Sequence, residues 1–260
     1  MKNLKVTLVQ TSLFWEDSNK NRKHFTALLR RIPKNSTQLI VLPEMFTSGF
    51  TMNAADVAET MDGPSVIWMK EMAASKNAVI CGSMVINSQK KYFNRLIWAS
   101  PDGSVSFYDK RHLFRMANEQ LTYTGGTARR IFRIGDWRIC PLVCYDLRFP
   151  VWSRNRNEFD LLLYVANWPK KRSFAWKQLL IARAIENQCY TAGVNRIGTD
   201  GKKIPYSGDT AMIGPLGKKL TSIKSGEEAV VTLELSLDEL NVLRNSFPVA
   251  MDADDFEILK

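Results

Sequence analysis

The chain has 260 residues, 45% of them hydrophobic and 24% charged, enough to bury a sizeable core and far from a disordered composition. Lys plus Arg is 36 against 26 for Asp plus Glu, and the net charge of +10 is compatible with nucleic acid, a membrane surface or an anionic small molecule. The densest basic groups, Arg129, Arg130 and Arg133 and then Lys170, Lys171 and Arg172, form no long run and are not interleaved with aromatics, which favours a solvated surface over a nucleic-acid partner.

The apolar runs are far shorter than the roughly 20 residues that cross a bilayer, so no membrane span is expected. The first residues lead at once into Leu4 to Val9 without a signal-peptide pattern, and a cytoplasmic protein is expected. Leu4 to Val9 reads as a strand, and Asn21 to Arg31 as a helix with Phe25, Leu28, Leu29 and Ile32 at helical spacing. Leu39 to Leu42 is the next strand. A helix follows the turn Asp62-Gly63-Pro64, with Val66, Ile67, Met69 and Met72 predicted on its inner face, and Ala78 to Ile86 returns as a strand.

Asn94 to Ala99 and Val105 to Tyr108 read as a hairpin about Pro101-Asp102-Gly103, followed by a long irregular stretch of the kind that often carries function. The alternation then resumes with strands at Arg138 to Cys144 and Leu161 to Ala166, a helix at Ala175 to Asn187 and a strand at Tyr190 to Val194. Short strands are predicted near Asp209 to Ile213, Lys219 to Ile223 and Ala229 to Leu233. Ser236-x-x-Glu239 then forms a capping box that opens a terminal helix. No linker or short repeat interrupts the chain, so one domain of layered helices and sheets spanning 1–260 is the economical expectation. A doubly wound sheet fits the periodicity equally well, although no G-x-G-x-x-G follows the first strand and no Walker motif occurs.

The four cysteines, at 81, 140, 144 and 189, are too sparse for a disulfide-stapled fold. Cys140 and Cys144 would lie about 13 Å apart if they share a strand, at about 3.3 Å per residue, too far to hold one zinc. With only His24 and His112 for imidazole ligands, no metal and no organic cofactor is expected. Cys144 ends an apolar strand where the chain must turn, a place that exposes a thiol to backbone N–H groups and a helix N-terminus, both of which favour a thiolate. His112 is the obvious base for a papain-like pair. Glu44, after the strand LIVLP, is a second candidate, since a carboxylate at a buried strand end is driven toward a usable pKa. Lys110 follows another strand and could stabilise an oxyanion. Taken singly, each of these residues also fits a purely structural role.

Taken together, Glu44 in LPE, Lys110 in DKRHLF and Cys144 in CYDLRFP resemble the nitrilase superfamily of carbon–nitrogen hydrolases, over nearly the whole chain from Val6 to about Leu243. DLLLYVANWP, ARAIENQ and GVNR are similar to the bacterial omega-amidase branch, which hydrolyses the terminal amide of short dicarboxylic acid monoamides. The resemblance implies an α/β fold of four αββα layers, a homodimer or higher homo-oligomer, and a small carboxylate-bearing amide as substrate. It implies a triad of Glu44 as base, Lys110 as oxyanion donor and Cys144 as nucleophile, with the Tyr145 backbone N–H as second oxyanion donor. Glu119 resembles a further glutamate that supports the lysine or positions the amide. Arg148 is at a position where relatives hold a substrate carboxylate, and an ion pair with Asp146 is its structural alternative. Arg196 and Lys170 are the next candidates for that cation, and Trp168 and Phe46 are expected to wall the pocket. The rival readings are a nitrilase-fold hydrolase of another amide, such as an N-carbamoyl compound or a deaminated peptide, and a basic nucleic-acid-binding protein.

Overall fold

In the computed structural model, which describes residues 2–258, the first alternation of strands and helices builds one sheet and the second builds another. The first sheet contains β1 (Asn3–Gln10), β2 (Leu39–Val41), β3 (Val79–Ser88), β4 (Lys91–Ala99) and β5 (Val105–Asp109). The second contains β6 (Phe132–Ile134), β7 (Trp137–Val143), β8 (Leu161–Ala166) and β9 (Tyr190–Asn195). After a small hairpin of β10 (Ile197–Thr199) and β11 (Pro205–Ser207), β12 (Ala211–Ile213) joins it. The last strand, β13 (Ala229–Ser236), crosses back and pairs antiparallel along the whole of β1, so the strand orders are β13-β1-β2-β3-β4-β5 and β12-β9-β8-β7-β6. In each sheet three parallel strands form the centre, β1-β2-β3 and β7-β8-β9, and antiparallel strands flank them.

The central strands are apolar on both faces because both faces are covered. Between the sheets, Leu4, Val6, Leu8, Leu39 and Trp98 pack on Ile139, Leu142, Leu163 and Val165 in one core. On the outer face of the first sheet, the helices Ser18–Arg30 and Pro64–Lys76 press Phe25, Leu29, Val66 and Met69 onto Val9, Ile40, Ile80 and Ile97. The helix Ser173–Asn187 covers the second sheet through Trp176, Leu180 and Ala184. The layers therefore run helix, sheet, sheet, helix, the αββα sandwich that the motifs implied, and a doubly wound single sheet is excluded.

Local chemistry sets the boundaries. Asp17 caps the first helix by accepting from Lys20 N at 2.9 Å, and Ser236 caps the terminal helix Leu237–Ser246 from Glu239 N at 3.2 Å, as its sequence pattern indicates. Three expectations are corrected. Ile67 is not on the inner face of its helix but 48% exposed, because the buried face runs through Val66, Met69 and Ala73 at i, i+3 and i+7, with Trp68 beside them. Lys219 to Ile223 is no strand. After one bridge to Ile213, the Thr221 hydroxyl accepts the Met212 N–H and takes the place of a ladder bond. The strand predicted from Asn94 begins earlier, at Lys91, since Gln89 and Lys90 both turn left-handed and pair its first residues with β3 in a hairpin of their own.

At Gly193 in β9, a Cβ would sit 2.5 Å from Leu180 Cδ1 and 2.7 Å from Trp176 Cζ2, so this strand reaches its covering helix only without a side chain. Gly193→Ala overpacks that contact. Urea denaturation is expected to register a loss of about 1–3 kcal/mol, and an unchanged midpoint would show that the helix can recede at no cost.

Candidate active site

Glu44, Lys110, Cys144 and Glu119 meet at one edge of the sandwich. Glu44 follows β2, Lys110 follows β5 and Cys144 follows β7, so the side chains project beyond the carboxyl ends of their strands, where open α/β sheets place their ligand crevices. Glu119 comes from the irregular stretch after β5, at the start of the short helix Glu119–Thr122. Cys144 adopts φ +45°, a left-handed conformation that non-glycine residues rarely take, and thereby breaks out of β7 into the turn Cys144–Arg148. The first N–H groups of such a turn, that of Tyr145 among them, have no partner within it.

Lys110 Nζ lies 3.0 Å from Glu44 Oε1 and 3.0 Å from each carboxylate oxygen of Glu119, with all three side chains at 0% exposure. Asn94 Nδ2 donates to Glu44 at 2.8 Å and to Glu119 at 3.4 Å, a neutral bridge between two carboxylates. The other Glu44 oxygen accepts the Asn167 backbone N–H at 2.7 Å, and Phe114 N donates to Glu119 at 2.6 Å. Cys144 Sγ is 3.9 Å from the Asn167 carbonyl.

These contacts fix the proton positions. Burial pulls the Lys110 pKa down, but the Glu119 and Glu44 carboxylates outweigh it and hold the ammonium above its ordinary pKa. Burial raises the pKa of Glu119, and the nearby Glu44 adds to that rise against the pull of Lys110. The Cys144 thiol is pushed well above its ordinary value, first by burial and then by the Glu44 charge, with Lys110 opposing. Desolvation and two carboxylates thus favour the neutral thiol at rest, which agrees with a mechanism in which Glu44 takes its proton.

A cleft opens above this cluster, walled by Phe50, Phe114, Tyr145, Trp168 and Tyr206. Arg148 and Arg172 line it as well. Arg148 stands 5.1 Å from the Trp168 ring centre and Arg172 5.1 Å from that of Phe114, and neither guanidinium has a carboxylate partner among the described residues. Trp168 is therefore where the sequence put it. Phe46 is not: it is fully buried in the outer core between Phe25 and Trp68, away from the cleft. The alternative Arg148–Asp146 pair does not form, since Asp146 is taken by Val143 N, Tyr108 OH and His112. Arg196 is buried behind the cleft wall on backbone carbonyls, and Lys170 is exposed outside it. His112 binds Asp146 at 2.7 Å and stacks on Phe149, so it is not paired with Cys144 in the papain manner.

Nothing in the sequence marks Asn94, Asn167 or Arg172 as part of a site, and Asp146 enters there only as a candidate ion-pair partner of Arg148. Asn94 and Asn167 gave one weak signal, a polar residue within or ending an apolar strand. Arg172 sits in a basic triplet that reads as solvated surface.

The carbon-nitrogen hydrolase family profile matches residues 5–245. The chain belongs to that family. This carbon-nitrogen hydrolase is 49% identical to omega-amidase YafV of Escherichia coli strain K12, over 99% of this chain and 100% of that one. It is 31% identical to 2-oxoglutaramate amidase of Bacillus subtilis strain 168, over 95% and 96% of the two chains. Among solved structures it is similar to XC1258 of Xanthomonas campestris, a CN-hydrolase superfamily protein with an arsenic adduct in its active site, at TM-score 0.96 and 47% identity over 99% of this chain and 100% of that one.

The raised thiol pKa of this carbon-nitrogen hydrolase sets a pH signature. A thiol held above its ordinary 9.0 is protonated throughout the neutral range, so iodoacetamide labelling of Cys144 should keep accelerating through pH 9. A rate plateau reached at or below pH 7, read by mass spectrometry of the labelled peptide, would mean a resting thiolate.

Proposed function

We propose that this hydrolase is an omega-amidase, cleaving the terminal amide of short dicarboxylic acid monoamides such as 2-oxoglutaramate, 2-oxosuccinamate and succinamate. The observation that carries this reading is the buried Glu44–Lys110–Glu119 cluster beside Cys144, at the floor of an aromatic cleft lined by two guanidiniums that have no carboxylate partner among the described residues. The full-length similarity to relatives bearing omega-amidase names supports it.

In the proposed reaction Glu44 removes the thiol proton as Sγ attacks the amide carbonyl carbon. The carbonyl oxygen gains the negative charge and is met by the Lys110 ammonium and the Tyr145 N–H. Glu119 keeps Lys110 charged and in place. The proton on Glu44 passes to the leaving nitrogen, the C–N bond breaks, and ammonia departs from a thioester on Cys144. Water then gives a proton to Glu44 and attacks the thioester, and the proton returns to sulfur as the dicarboxylate leaves. No step calls on a metal or an organic cofactor. Arg148 and Arg172 hold the far carboxylate, and the aromatic walls exclude water from the reacting end.

A homodimer and a cytoplasmic setting accompany this reading. Phe174 and Ile185 lie three turns apart on one face of the helix Ser173–Asn187, at 79% and 51% exposure, and with Leu216 they leave an apolar strip that a second copy would cover.

Cys144→Ala and Cys144→Ser are expected to abolish turnover without loss of fold, and intact-mass analysis of wild type during turnover should find the acyl group on the Cys144 peptide. Lys110→Ala should lower kcat at least about a hundredfold, the scale for losing one oxyanion donor. A variant with normal kcat and only a raised KM would make Lys110 a binding group. His112→Asn should keep substantial activity, because Glu44 is the base.

The substrate class has its own test. Succinamate and 2-oxoglutaramate should be hydrolysed with far higher kcat/KM than their distal methyl esters, a simple nitrile or an N-carbamoyl amino acid, since a neutral far end leaves the guanidiniums unmatched. Arg148→Gln and Arg172→Gln should each shrink the acid-over-ester preference through KM. Equal rates for acid and ester would remove the carboxylate requirement, and preference for the carbamoyl compound would replace the omega-amidase reading while leaving the triad intact.

A further inference from the structure

Asp146 has no Lys or Arg partner among the described residues, yet its carboxylate is fully buried and is met by donors on every side, the His112 ring among them. Oδ2 accepts Val143 N at 3.0 Å and Tyr108 OH at 2.8 Å. Oδ1 accepts His112 N at 2.9 Å and shares a hydrogen bond of 2.7 Å with the His112 Nδ1. The positions of these donors are informative. Tyr108 and His112 flank Lys110, two residues before and two after it, on the segment leaving the first sheet. Val143 directly precedes Cys144 at the end of β7 in the second sheet.

We propose that Asp146 is a positioning residue that sets the distance and angle between Lys110 and Cys144 by tying the two sheets together at their reactive edge. Without it, nothing in the backbone ladders relates these residues, because β5 and β7 belong to different sheets. The same carboxylate holds the N–H just before the left-handed Cys144, and so stabilises the turn that aims the thiol and the Tyr145 N–H into the cleft. The tie is itself braced. The His112 ring stacks on Phe149 at 3.7 Å and 7° between planes, and Trp152 Nε1 donates to the Tyr108 hydroxyl at 3.0 Å. Phe149 and Trp152 both follow the nucleophile turn, so each donor from the Lys110 segment is backed by a side chain from the Cys144 segment.

The inference rests on the roles proposed for Lys110 and Cys144, and its test uses two readouts so that the failures differ. Asp146→Asn is compared with Asp160→Asn, which alters another buried carboxylate, paired with Arg138 and Arg244 at the opposite end of β8. For Asp146→Asn, kcat on succinamate should fall between about tenfold and a hundredfold, the scale of a misplaced reacting group, with KM within about twofold. Iodoacetamide labelling of Cys144 should also change rate at fixed pH. Asp160→Asn should lower the urea midpoint while kcat and labelling stay near wild type. Should Asp146→Asn fail to fold, Tyr108→Phe removes one of its donors and should still lower kcat several-fold at constant KM. Wild-type kcat in folded Asp146→Asn or Tyr108→Phe, or a fall in Asp160→Asn as large as in Asp146→Asn, overturns the proposal. If succinamate is not a substrate of the wild type, it is the omega-amidase reading that fails, and the labelling rates alone then decide the role of Asp146.

Discussion

The ammonium of Lys110, buried between the carboxylates of Glu44 and Glu119, is the interaction on which the rest of the structure depends. Removing such charges from water costs several kcal/mol per ion, and mutual attraction offsets that only when the geometry is good and the remaining lone pairs find donors. Each condition is met by a residue from a different element: Asn94 of β4 donates to both carboxylates, Asn167 after β8 to one and Phe114 to the other. The cluster draws on both sheets and on the long stretch after β5. A sandwich that slid by one residue would leave buried charges unpaired, so electrostatics fixes a register that apolar contacts between the sheets leave loose.

That dependence explains which parts of the molecule could be read from sequence. Strands with both faces covered are apolar runs, so β1, β2, β7 and β8 were visible by composition alone. Glu44 and Cys144 were visible because each ends such a run, Lys110 because it follows the hairpin strand β5, and their order along the chain resembles a known family. What pairs across space left no local mark. Asn94 faces two carboxylates that are distant in sequence, and Asp146 binds residues from the other sheet. Phe46 was misplaced for the same reason: sequence spacing does not say which way an aromatic two residues past Glu44 faces, and the left-handed Met45 turns it to the outer core. Ile67 and the Lys219 segment failed on smaller points, a helical phase and a single hydroxyl that replaced a ladder bond.

Chemistry and recognition occupy different parts of the scaffold. The proposed reacting groups stand on strand ends packed from both sides, where a side chain loses its freedom once, on folding, and not again at each turnover. The cleft walls come from the stretch after β5, the turn after β8 and the β10–β11 hairpin, which supply Phe114, Arg172 and Tyr206. Loops on a rigid frame can change their lining without disturbing the buried cluster. Within one family, then, the triad can stay constant while the far end of the substrate varies.

The raised pKa of the Cys144 thiol follows from the same buried charges, and it bears on the proposed reaction. A cysteine–histidine ion pair would place a thiolate beside two carboxylates already in a dry site, and the Coulomb repulsion would be poorly screened there. In the reaction proposed around Glu44, the proton leaving sulfur would neutralise one carboxylate at the moment that negative charge appears on the substrate oxygen beside Lys110. The net charge of the buried site is the same before and after attack, and the ammonium merely exchanges one anionic neighbour for another. Because no new charge has to be desolvated, the protein can keep this edge of the sandwich dry and closely packed, which is the condition under which the donors facing the oxyanion act most strongly.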